Sequence, residues 1–156
     1  MSQLVKAMVF QRFAVPAERV FDIWLDPEWI GRWTAGPGVR DECIVRLNLE
    51  PRVGGKFSFV VERQGVEINH VGEYLELDRP DLLVFTWTTR DSRQVTSRVI
   101  VEIVPRDDGC DLTLTHVMAA DSAAFVDKAA VAWRTMLAAL ARALSERTNP
   151  LILKAS

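Results

Sequence analysis

A chain of 156 residues with 49% hydrophobic and 26% charged side chains has the size and composition of one ordinary folded domain. Its net charge of −2, from 19 basic and 21 acidic groups, excludes the basic footprint of a nucleic-acid binder. No apolar run approaches the roughly 20 residues that span a bilayer, and Met1 to Val9 lacks the features of a signal peptide, so a cytoplasmic protein is expected.

A single domain over residues 1–156 is predicted, with its core within 5–146. That length buries roughly 68–70% of the unfolded surface, so no disulfide or metal staple is needed. Cys43 and Cys110 lie far apart and read as plain thiols.

The chain opens with a strand in which Val5, Ala7, Val9, Gln11 and Phe13 share a face. Pro16 ends it and suits the first position of a short helix carrying Val20, Phe21, Trp24 and Leu25. Asp26, a plausible cap, and Pro27 begin a second short helix with Trp29, Ile30 and Trp33. Ala35 to Gly38 reads as a loop.

From Glu42 the period becomes two. Cys43, Val45, Leu47 and Leu49 form one strand face, and Phe57, Phe59 and Val61 the next, with Gly54-Gly55 in the turn between. Those glycines precede no helix, so a phosphate-binding loop is excluded. In Val66 to Asp78, His70, Gly72 and Tyr74 share a face, but Leu75 and Leu77 have opposite parity, which predicts a bulge near Leu75-Glu76. Leu83, Phe85 and Trp87 line the following strand. Val95, Ser97, Val99, Val101 and Ile103 line the one after, and Cys110, Leu112, Leu114, His116 and Met118 the last.

A long helix capped by Asp121 or Ser122 closes the chain. Its apolar stripe is Val126, Ala129, Ala130, Trp133, Met136, Leu137, Leu140 and Leu144. Short connections make neighbouring strands antiparallel. One helix cannot cover a flat seven-stranded sheet. The sheet must curl around it, and a gap between them is expected. The predicted class is α+β, a helix grip with a curved seven-stranded antiparallel sheet around a long C-terminal helix.

Phe13 to Trp33 ("FAVPAERVFDIWLDPEWIGRW"), Pro51 to Phe59 ("PRVGGKFSF"), Gly72 to Trp87 ("GEYLELDRPDLLVFTW") and Leu112 to His116 ("LTLTH"), with Trp133 in the last helix, together resemble the activator of heat-shock-protein-90 ATPase homologues. The resemblance covers roughly Val9 to Leu144 and implies the START-like, SRPBCC helix-grip superfamily, which includes polyketide cyclases and lipid-transfer domains. The chain departs from the family at Trp33-Thr34, where relatives carry two adjacent tryptophans.

The predicted lining of the gap is Trp33 at its mouth, Phe57, Phe59, Phe85 and Trp87 on the sheet, and Trp133 and Met136 on the helix, with His70, Tyr74 and His116 as polar anchors. Two histidines without a third ligand make no metal site, and no cofactor motif is present. No Gly-x-Ser-x-Gly elbow or Cys–His pair stands out, and Glu67, Glu73 and Glu76 are expected to face solvent. The expected function is binding of a small hydrophobic or aromatic molecule. A cyclase-like enzyme using the histidines is one alternative. A chaperone-contact domain, implied by the resemblance, is another. A homodimer is compatible with the sequence.

Overall fold

The computed structural model describes residues 4–26, 43–89, 97–119 and 126–147. Strand β1 (Leu4–Phe13) leads into helix α1 (Ala17–Ile23). Six strands follow: β2 (Cys43–Leu49), β3 (Lys56–Arg63), β4 (Val66–Asp78), β5 (Leu82–Thr89), β6 (Ser97–Arg106) and β7 (Gly109–Ala119). Helix α2 (Val126–Arg147) closes the described chain. The predicted second short helix, the loop after it, Val95 and the cap at Asp121 or Ser122 lie outside the described residues.

The strands form one sheet in the order β1-β7-β6-β5-β4-β3-β2, antiparallel throughout. From β2 to β7 each strand lies beside its sequence neighbour, as short connections require. Only β1 departs: it crosses to pair with β7, from Leu4 opposite Ala119 to Phe13 opposite Cys110. A large antiparallel sheet with a long C-terminal helix against it is the helix-grip arrangement.

Pro16 is the N-cap of α1 and not its first helical residue. Its ψ of 153° is extended, while its carbonyl already accepts the N–H groups of Arg19 and Val20. Proline fits because a capping residue needs no N–H of its own. Arg79 then fastens α1 to the turn after β4. Its guanidinium donates two hydrogen bonds to Asp22, of 2.7 and 2.9 Å.

The predicted bulge in β4 is present. The β4–β5 register shifts between Tyr74 and Glu76, so Leu75 is the extra residue. Tyr74 is therefore buried and Leu77 packs partly against the core, while Leu75 faces out. The turn before β3 supports this point. Gly54, at φ +83°, donates its N–H to the carbonyl of Tyr74, and Tyr74 donates to the carbonyl of Gly55.

Phe13, Leu83, Val99, Val101, Leu112 and Leu114 on the sheet meet Leu137, Leu140 and Leu144 of α2 in one core, each almost inaccessible. The helix stripe at spacings of three and four thus turns inward as its sequence demands. Among the described residues no helix is long and apolar enough to cross a membrane.

Candidate ligand-binding site

The sheet's inward parity brings aromatic side chains from three neighbouring strands to one region. Phe57 of β3, Tyr74 of β4 and Phe85 and Trp87 of β5 touch one another, with ring centroids 5.4 to 6.4 Å apart. Trp133 of α2 reaches down to Trp87 at 5.6 Å. Trp24, at the end of α1, bridges Phe85 and Trp133 at 6.2 and 6.3 Å. Tilted and edge-on contacts dominate, as the quadrupoles of the rings favour.

Gly72 makes room for this arrangement. A Cβ there would run into the carbonyl oxygen of Thr86 and the ring of Phe57. The Phe57 ring therefore occupies the space that a side chain on β4 would have filled.

One end of the aromatic cluster is polar. His70 stacks on Trp87 with centroids 5.2 Å apart and an interplanar angle of 28°. His116, inward-facing on β7 by the parity of Cys110, Leu112 and Leu114, is buried beside Trp133. The Trp133 indole N–H donates to His116 Nδ1 at 3.1 Å. His116 Nε2 lies 2.7 Å from Ser97 Oγ, and that hydroxyl donates to the Trp87 carbonyl at 2.6 Å.

This chain of contacts assigns the protons. An indole nitrogen only donates, so Nδ1 accepts and a neutral imidazole carries its hydrogen on Nε2. Nε2–H then donates to Ser97. Burial holds His116 well below the ordinary histidine range, at about 4, which keeps it neutral. A serine 2.7 Å from an imidazole resembles an activated nucleophile, yet here Nε2 holds a proton and has no lone pair to take the hydroxyl's. Burial also pushes the Tyr74 phenol up to about 12, so it stays protonated.

The structure brings Phe57, His70, Tyr74, Phe85, Trp87, His116 and Trp133 together in this cluster, and it buries Met136 of α2 in the same hydrophobic core. Trp33 lies outside the described residues, as does the side chain of Phe59. Three participants were not picked out from the sequence. Trp24 reads as plain core packing. Ser97 is the lone hydroxyl on an apolar strand face, a signal that was available. Gly72 carries no signal until its neighbours across the sheet are known. Among the described residues no group of acids, histidines and cysteines is placed to hold a metal.

Residues 14–145 match the sequence profile of the family described as Activator of Hsp90 ATPase homolog 1-like protein. No curated protein matches the chain. Several solved structures share its fold. Protein CV1439 from Chromobacterium violaceum superposes with a TM-score of 0.77 at 22% identity, covering 88% of this chain and 94% of that one. Protein NE0264 from Nitrosomonas europaea gives 0.77 at 19% identity, with coverages of 92% and 96%. SA2116 from Staphylococcus aureus, a protein of unknown function, gives 0.80 at 13% identity, with coverages of 94% and 97%.

Proposed function

The chain belongs to the Activator of Hsp90 ATPase homolog 1-like family, and from that premise we propose that it binds a small hydrophobic or aromatic molecule between the sheet and α2. The observation that carries this reading is the Trp87 ring. It is only partly buried, while Phe57, Phe85 and Trp133 around it are almost inaccessible. A large π surface at the end of an apolar cluster is where a flat ligand would stack. His70, already stacked on that ring, supplies a polar edge beside it.

The reading makes the protein a binding module and not an enzyme. The protonation of the Ser97–His116 pair supports that choice, since it leaves His116 without a lone pair for the serine's proton.

The test is thermal. A ligand of the native state raises stability by about 2.7 kcal/mol at one hundred times its Kd. For a chain of this length that is roughly 5–10 °C in Tm. Naphthylmethanol and similar neutral aromatic probes are expected to raise Tm and quench tryptophan emission. No change in either signal for any probe of the set would refute the reading.

A further inference from the structure

We propose that the outer face of β1, β7 and β6 is the contact surface of a homodimer, in which a second copy packs on it across a two-fold axis along the row of Met8. This face is opposite in parity to the buried residues Val9, Leu114 and Val101, so it is turned away from the candidate ligand site.

An antiparallel sheet with one face on a core ordinarily turns polar side chains outward. Here the outward parity of β1 carries Leu4, Met8 and Phe10, each at least 60% exposed. The register extends the apolar row across the sheet. Met8 lies opposite Thr115 of β7, Thr115 opposite Ile100 of β6, and Ile100 opposite Val84 of β5. Exposed apolar surface that is contiguous in this way marks an interaction site.

The charges beside that row select the partner. On one side of it Lys6, Val117 and Arg98 form the neighbouring row, and on the other side Phe10, Thr113 and Glu102 do. Arg98 and Glu102 sit on the same strand, about 13 Å apart at about 3.4 Å per residue, with the apolar row between them. Among the described residues neither has an ion-pair partner.

A two-fold axis lying along the apolar row, in the plane between two such faces, reverses the strand direction and keeps the order of strands along the row. Met8 then meets Met8. Arg98 of each copy faces Glu102 of the other, and Lys6 of each faces the Phe10 ring of the other, a cation over a π face. The surface is thus complementary to itself, which is what a two-fold dimer requires. A wholly basic or wholly acidic partner would match only one of the two flanking rows. Contact over three strands is small, so the dimer is a weak one that depends on concentration.

Sedimentation velocity of the intact chain from about 1 µM to about 1 mM tests this. A dimer should build up within that range, and a chain that stays monomeric throughout would overturn the proposal. Charge reversal then tests the pairing. Arg98→Glu sets two carboxylates face to face at both contacts, and Glu102→Arg sets two guanidiniums there. Each should weaken dimerisation at least about tenfold. The double variant Arg98→Glu, Glu102→Arg restores opposite signs and should return the dissociation constant to within about threefold of the wild type. Single reversals without effect, or a double reversal no better than the singles, would overturn the pairing. Met8→Lys leaves those charges in place and buries two ammonium groups at the axis, so the dimer should be lost. A Met8→Lys dimer as strong as the wild type would overturn the proposal as well. All three positions are exposed, and circular dichroism checks that each variant keeps the fold.

Discussion

The indole N–H of Trp133 on α2 donates to Nδ1 of His116 on β7 across 3.1 Å, joining the helix to the sheet through a buried polar contact. Both partners are almost wholly inaccessible. Losing one side of such a bond exposes the desolvation cost of the other, about 1–3 kcal/mol. Trp133→Phe should lower stability by that order in urea denaturation, with an unchanged slope.

His116 should also give stability a pH dependence. Its folded value lies near 4, below the ordinary 6.5. In that window the unfolded chain binds the proton more readily, so stability is full above about pH 6.5 and falls as pH drops toward 4. At about 1.4 kcal/mol per pH unit the loss approaches roughly 3 kcal/mol. His116→Gln has nothing to titrate there. The difference between its stability-versus-pH curve and that of the wild type should show this slope, and parallel curves would contradict the assignment.

Gly72→Ala should be severe for so small a change. The added methyl meets a backbone carbonyl as well as the Phe57 ring, and only the ring can move. Overpacking of this kind costs about 1–3 kcal/mol or more. Trimming the ring in a Gly72→Ala, Phe57→Leu double variant should not restore stability, because the Thr86 carbonyl remains. Equilibrium denaturation of the two variants checks both statements.

Cys110 should be unreactive until the protein unfolds. It is fully buried, and burial with Asp111 beside it pushes the thiol up to about 11. At about pH 8 that leaves about one thiol in a thousand ionised, and the thiolate is the reactive form. In a Cys43→Ser background, labelling with a disulfide reagent should track global unfolding in denaturant. Rapid native-state labelling would contradict the burial.

Trp87→Leu tests the proposed ligand surface directly. The ring is only partly buried, so stability should fall by only about 1 kcal/mol. Affinity for naphthylmethanol should drop at least about tenfold by calorimetry, since the stacking surface is gone. Undiminished affinity would move the ligand elsewhere.

Much of this architecture is legible in the residues because its signals are local. Alternation over two residues marks inward faces, and His116 follows Cys110, Leu112 and Leu114 inward for that reason alone. The parity break after Tyr74 locates the bulge before any partner strand is known. Spacings of three and four select Trp133, Met136, Leu137 and Leu140 as the buried stripe of α2. The pairing of β1 with β7 is another matter. It joins residues about a hundred positions apart, and no local period encodes it.

By itself, then, the sequence determined the class of fold, the faces of its strands and helix, and the residues available to line a site. Only the tertiary structure decided what the histidines do. Ser97, His116 and Trp133 sit on three elements, and their hydrogen bonds exist only once β6, β7 and α2 converge. A proton's place on an imidazole depends on which donor faces which nitrogen. That is a property of distances between elements, and periodicity along the chain carries no record of it.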